Sequence, residues 1–128
     1  MSEPKFLGQQ HSAAINAHEM EAMPAPVAGM VVTLDCSEFT SHCPVTSQPD
    51  FARVKITYET RAHIVETKSV KLWLWSFRDE RAFNEEIASR MADQFFAVVR
   101  PEWVTVTAAF NTRGGISVTA ERTVRSKT

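Results

Sequence analysis

An α+β domain, an antiparallel sheet with two helices packed on one face, is predicted by three features of this 128-residue sequence. Strand-like runs, β-rich or alternating, occupy two stretches in the first half and two at the end. Between them, two segments carry apolar residues at the helical period. A Gly114-Gly115 pair separates the last two strand-like runs, as expected for a hairpin. The implied order is β-β-α-α-β-β.

The elements follow from the residues in turn. Residues 1–27 have no sustained period and include Pro24 and Pro26, so they read as an irregular arm with one helical turn at Ala13–Met20. The domain proper is expected over residues 28–128. Met30–Leu34 is a β-rich run and predicts the first strand, while Ser37–Gln48, with Pro44 and several Ser and Thr, reads as a loop. Over Phe51–Thr60, Ala52, Val54, Ile56 and Tyr58 share one face and Arg53, Lys55 and Thr57 the other. Val70, Trp73, Leu74 and Phe77 then repeat as i, i+3, i+4, i+7, a helical stripe with Lys68, Lys71 and Trp75 on the opposite side. Phe83, Ile87, Met91, Phe95 and Val98 give the second helix its apolar face, and Pro101 stops it. Val104, Val106, Ala108 and Phe110 predict one final strand, and Ile116, Val118, Ala120 and Val124 the other. The open edges and second face of such a sheet call for cover, which in so small a chain favours oligomerisation.

With 44% hydrophobic and 23% charged residues, the chain can bury one ordinary core. No apolar run approaches the roughly 20 residues of a membrane span. Residues 1–26 hold Lys5 as their only Lys or Arg and lack the apolar segment of a signal peptide, so a soluble cytoplasmic protein is expected. The net charge of −1 steers the chain neither to nucleic acid nor to anionic membranes. It is unevenly spread: residues 1–50 carry one base against six acids, residues 51–128 thirteen against nine. A basic second half suits an anionic ligand, although solvated lysines and arginines are the default account of it. Cys36 and Cys43 make no Cys-x-x-Cys motif and no disulfide framework. Together with His42 and His63 they match no standard metal spacing, and no metal is expected.

Two segments can carry chemistry. In His42-Cys43-Pro44-Val45-Thr46-Ser47-Gln48-Pro49-Asp50 a thiol and a carboxylate stand seven residues apart around a proline-stiffened turn. A thiolate attacks electrophilic carbon, and a nearby carboxylic acid can move the protons the adduct needs. The plain alternative is a small buried residue and a strand-entry turn acid. In Glu66-Thr67-Lys68-Ser69-Val70-Lys71-Leu72-Trp73 two ammonium groups share one helix face near its start, where phosphates can be gripped, or where charges are simply solvated. No Gly-x-Gly-x-x-Gly motif for a Rossmann-type site is present.

These two segments together resemble the single-module NADPH-dependent 7-cyano-7-deazaguanine reductases, the nitrile reductases of queuosine synthesis. Ser76-Phe77-Arg78 adds to the likeness, which spans about residues 30–125. The family pattern is Glu-(Ser/Leu)-Lys-(Ser/Ala)-apolar-Lys, and the departure here is Thr67. A second departure is Phe83-Asn84-Glu85, where the family has Phe-His-Glu; asparagine can hydrogen-bond but cannot carry the charge a histidine can. The resemblance implies a tunnelling fold whose units join into stacked rings, with pockets between subunits. It implies that Cys43 is the nucleophile that forms a thioimide with the nitrile and Asp50 the proton donor. Val65, Glu66, Thr67, Asn84 and Glu85 would hold the deazaguanine, since a carboxylate accepts two adjacent N–H groups at once. Lys68, Lys71 and Arg113 would meet the phosphates of NADPH. Glu85 also has a simpler reading as a first-turn acid favoured by the helix dipole. Two competing functions remain at this level: an amidinotransferase that adds ammonia to the nitrile in tRNA, and a non-catalytic purine- or pterin-binding subunit.

Overall fold

The computed structural model describes residues 20–128 apart from Ser47; the arm expected over residues 1–19, with most of its Ala13–Met20 turn, lies outside the described residues. Alternation sets the centre of the fold. On strand β3 (Pro49–Glu59), Ala52, Val54, Ile56 and Tyr58 are buried, and on strand β5 (Trp103–Phe110) Val104, Val106, Ala108 and Phe110 are buried. These two strands pair antiparallel, flanked by β2 (Val31–His42) and β6 (Thr119–Arg125), giving the order β2-β3-β5-β6. Helices α1 (Thr67–Trp75) and α2 (Asn84–Val99) lie on the apolar face. A 3-10 turn, Ser76–Asp79, continues α1. Part of the stretch read as irregular is ordered: β1 (Ala22–Pro24) pairs with β4 (His63–Val65) in a small second sheet.

The helices are held by an aromatic chain. Phe39 packs edge-on to Phe77 at 5.8 Å between centroids, Phe77 to Trp73 at 5.6 Å, Trp73 to Phe95 at 6.4 Å, and Phe95 to Tyr58 at 4.9 Å. The Trp73 indole N–H donates to Gln94 Oε1 at 2.8 Å, which ties α1 to α2 without leaving a buried donor unpaired. The stripe predicted for α1 is thus core, and its opposite face, Lys68, Lys71 and Trp75, is exposed. Helix α2 ends with Arg100 in the left-handed region (φ +52°), followed by Pro101. Phe83 is a difference: it stands just before the helix and is exposed, because its backbone, held by the Glu86 carboxylate, serves as the helix start.

The largest departure from the sequence pattern is β2, which runs eight residues past Leu34. Its register against β3 shifts between Cys36 and Phe39, where Ser37 and Glu38 together face Arg53. Before this bulge the even residues Val32, Leu34 and Cys36 point inward; after it the odd ones, Phe39 and Ser41, do. The broken period is what makes 37–42 look like loop. At the other end, Ile116 is exposed: paired bonds between Arg113 and Ile116 close a turn there, and β6 starts only at Thr119.

The second face of the sheet needs no apolar cover. It carries Thr33, Thr57, Thr105 and Thr123 in one row, and Arg53 bidentate to Asp35 at 2.8 and 2.9 Å. Among the described residues, the edges β2 and β6 are what remain open. Replacing Phe95 by Ala, which removes the ring shared by Tyr58 and Trp73, is expected to lower stability by ~3–5 kcal/mol in urea denaturation.

Candidate active site

The β2–β3 connection is a short closed loop. The Cys43 N–H donates to the Gln48 carbonyl at 2.9 Å, and the Gln48 N–H to the Thr46 hydroxyl at 3.2 Å. Within it the Cys43 thiol is drawn below its usual pKa, first by the Thr46 backbone N–H, then by the Val45 N–H and the Thr46 hydroxyl; burial and the charge of Asp50 act in the opposite sense. The loop is therefore a small anion nest around sulfur.

Asp50 sits at the start of β3 on the inner face and is 8% exposed. Its carboxylate is clamped from the β5–β6 turn. Arg113 Nη1 donates to Asp50 Oδ1 at 2.7 Å and to the Pro49 carbonyl at 2.9 Å, and Nη2 donates to Gln48 Oε1. Gly114 and Gly115, at φ +60° and +80°, allow the turn that aims this guanidinium. Arg113 is thus engaged by the Cys43–Asp50 loop, a contact that its spacing in the sequence did not reveal. Directly across the β2–β3 ladder from Asp50 stands Ser41, 0% exposed. Its Oγ is the buried side-chain polar atom without a hydrogen-bond partner among the described residues, a condition that costs ~1–3 kcal/mol. Sequence reading passed over Ser41 because the bulge hides which way it points.

The start of α2 is brought to this same end of the sheet. The His42 N–H donates to the Glu80 carbonyl at 3.3 Å, His42 forms a bridge with Arg81, and the Glu80 carboxylate pairs with Arg90 of α2 at 2.9 Å. The His42 ring Nδ1–H donates to the Arg78 carbonyl. Of the two acids in the first turn, Glu86 holds the Phe83 N–H and Arg90, whereas the exposed Glu85 carboxylate has no partner among the described residues. Asn84, one residue before it, is half-buried.

The other expected site residues lie at the opposite end. Val65 is buried, and its N–H donates to the Tyr58 hydroxyl at 3.1 Å. Tyr58 is eight positions beyond Asp50 on β3, or about 26 Å along the strand. Glu66 caps α1, its two carboxylate oxygens accepting from the Lys68 and Ser69 N–H groups at 2.9 and 2.7 Å. Thr67, Lys68 and Lys71 are exposed, and neither lysine has an ion-pair partner among the described residues. So one end holds Cys43, Asp50, Arg113, Asn84 and Glu85, and the other Val65, Glu66, Thr67 and Lys68. Lys71 lies one turn further along α1. It lines, with Thr67, Trp75 and Arg78, a cavity of about 600 Å³ over the inner face of β2, which neither Cys43 nor Asp50 reaches. His63, on β4, is likewise far from His42 and Cys43, and among the described residues no three His, Cys, Asp or Glu side chains are grouped to hold a metal. Nor is any helix among them long and apolar enough to cross a membrane.

The geometry can be set beside known proteins. The family model for QueF-like proteins matches residues 49–128. A protein of Syntrophus aciditrophicus named NADPH-dependent 7-cyano-7-deazaguanine reductase is 46% identical over 96 residues, covering 75% of this chain and 69% of its own. One of the same name from Frankia casuarinae is 42% identical over 106 residues, 83% of this chain and 85% of that one. A third, from Magnetococcus marinus, is 40% identical over 119 residues, 93% and 90% of the two chains. Among solved structures, the apo form of the archaeosine synthase QueF-Like superposes with a TM-score of 0.66 at 21% identity, over 77% of this chain and 95% of its own; at that identity the likeness is one of fold. The β-β-α-α-β-β core with both helices on one face, the Cys43–Asp50 loop and the matched relatives converge: the chain belongs to the QueF-like family.

Proposed function

We propose that this chain reduces the nitrile of 7-cyano-7-deazaguanine to the aminomethyl group with NADPH, in the cytoplasm, as a step toward queuosine in tRNA. The observation that carries this reading is a thiol held toward its thiolate by the Thr46 and Val45 N–H groups, one loop from the buried carboxylate of Asp50, in a chain of this family. In the reaction, Cys43 sulfur bonds to the nitrile carbon while the C≡N becomes C=N. The thiol proton passes through Asp50 to the nitrogen, so a thioimide forms with no atom lost. NADPH supplies the two hydrides that take this carbon to the amine level. Between them the C–S bond breaks and Cys43 is released as the thiol. Asp50 is suited to handling the accompanying protons because burial keeps bulk water from competing at that carboxyl.

The unpaired Glu85 carboxylate suits the adjacent N–H donors of a guanine-like edge, with Asn84 beside it. Exposed and unpaired, Lys68 and Lys71 fit the phosphates of NADPH; Arg113, with its Nε–H and one Nη2 hydrogen unused, keeps donors for the same group. Glu66, Thr67 and the Val65 backbone would complete the heterocycle's pocket. One chain cannot supply both groups at once, since about 26 Å of strand separates them. That separation, with the open edges of β2 and β6, supports a homo-oligomer whose sites are shared between copies, as in stacked rings.

Intact mass after incubation with the nitrile is expected to rise by the full mass of the heterocycle at Cys43, and two NADPH are expected to be consumed per amine. Cys43→Ala should remove the adduct and lower turnover by at least ~10²–10⁴-fold. No mass gain defeats the reading, and so does an adduct that yields an amidine with ammonia while leaving NADPH untouched. Alkylation of Cys43, followed by peptide mass spectrometry against pH, should have its midpoint below the ~8.5 of an ordinary cysteine. Because thiolate-favouring bonds lower the pKa, Thr46→Val should move that midpoint upward, though only in part, since the Thr46 N–H remains. Finally, co-expressed Cys43→Ala and Lys68→Ala chains, each inactive alone, should recover about a quarter of full activity in randomly mixed assemblies. Mixed assemblies with no recovery would rule out shared sites.

A further inference from the structure

Ser41 is the side chain near Asp50 that the reaction scheme does not use. It lies on the inner face of β2, in register with Asp50 on β3, and opposed residues of an antiparallel pair hold their Cβ atoms about 4.5–5.5 Å apart. Its hydroxyl is fully buried and makes no hydrogen bond, whereas buried polar groups in folded proteins are nearly always paired. Asp50 is unpaired in a complementary way: Oδ1 is held by Arg113, and Oδ2 has no partner among the described residues. At that Cβ separation a hydroxyl and a carboxylate on the same face are within reach of one another.

We infer that Ser41 is a positioning residue for the reduction, its hydroxyl engaging Asp50 Oδ2 through the proton-transfer steps. A hydroxyl is suited to this because it is a neutral donor that can turn toward the carboxyl. During the proton transfers it donates to a lone pair of Oδ2, both while the carboxyl is ionised and once it has taken the thiol proton, so the Oδ2 proton itself stays available to the nitrile nitrogen. Arg113, which only donates, holds Oδ1 throughout. The carboxyl is thus fixed from two sides and keeps one orientation in both protonation states. An alanine at this position would fill the site but serve neither state.

The inference rests on the nitrile-reductase reading, so the wild-type adduct and NADPH consumption are measured first; an inert wild type overturns both. With active wild type, Ser41→Ala is expected to lower kcat and the rate of thioimide formation by about tenfold to a hundredfold, the range for a misplaced reacting group, with KM unchanged. Its Tm should be equal to or above that of wild type, because an unpaired buried hydroxyl has been removed. Ser41→Thr, which keeps the hydroxyl, should restore most of kcat. A Ser41→Ala enzyme with wild-type kcat across the pH range overturns the inference and leaves the function standing. A loss of kcat that tracks a fall in Tm and is not rescued by Thr overturns it too, assigning Ser41 to packing.

Discussion

A β-strand presents alternate residues to alternate faces, and that period of two admits no gradual adjustment. The bulge at Ser37 and Glu38 is therefore the feature on which the site depends. Without it, Thr40 and His42 would face the core, and Phe39 and Ser41 would face outward. With it, Phe39 enters the aromatic chain that holds the 3-10 turn through Phe77, and Ser41 comes to lie opposite Asp50. The same shift turns His42 toward the segment leading into α2, where its backbone and ring bond the Glu80 and Arg78 carbonyls. One extra residue thus sets the packing of the core and the approach of α2 to the thiol loop.

The thiol-bearing end is otherwise held by polar contacts between distant parts of the chain. Arg113 reaches across from the β5–β6 turn to the Gln48 side chain, the Pro49 carbonyl and the Asp50 carboxylate, so the two loops are tied together by side-chain hydrogen bonds. Since Arg113 is partly exposed, its ion pair acts more as an orienting device than as a source of stability. Glu80 with Arg90 does the equivalent for α2. Acidic residues with similar surroundings in the sequence consequently have different tasks. Glu66 spends both oxygens on the first turn of α1 and Glu86 reaches back to Phe83, while Glu85 is exposed and without a partner among the described residues.

Separation of the two residue groups follows from the directions of the helices. α1 begins beside Tyr58 and leads toward the thiol end, whereas α2 begins near His42 and returns to Arg100, with the next residues bonded to Glu59. Helices joined antiparallel across one sheet must place their N-termini at opposite ends. The two helix starts and the residues they carry are therefore held at opposite ends of the sheet, whose edge strands among the described residues are β2 and β6.

Much of this was legible in the sequence because it rests on local periodicity. The alternation in β3 and β5, the helical stripe through Val70, Trp73, Leu74 and Phe77, and the glycine pair after Arg113 each specify structure within a few residues of themselves, whereas the thiol and carboxylate offered a reactive pair beside a plain structural reading, which the family resemblance and not the spacing separated. What tertiary structure alone decided has a common cause: it depends on contacts between residues far apart in the chain. The continuation of β2 through His42 needed β3 as a partner to stabilise a strand whose own period is broken. The pairing of β1 with β4, the hold of Arg113 on Asp50, and the orphan hydroxyl of Ser41 have no periodic signature, because each is set by register or by a turn's direction. Composition and pattern determine which surfaces are apolar; only the folded ladder determines which polar groups meet.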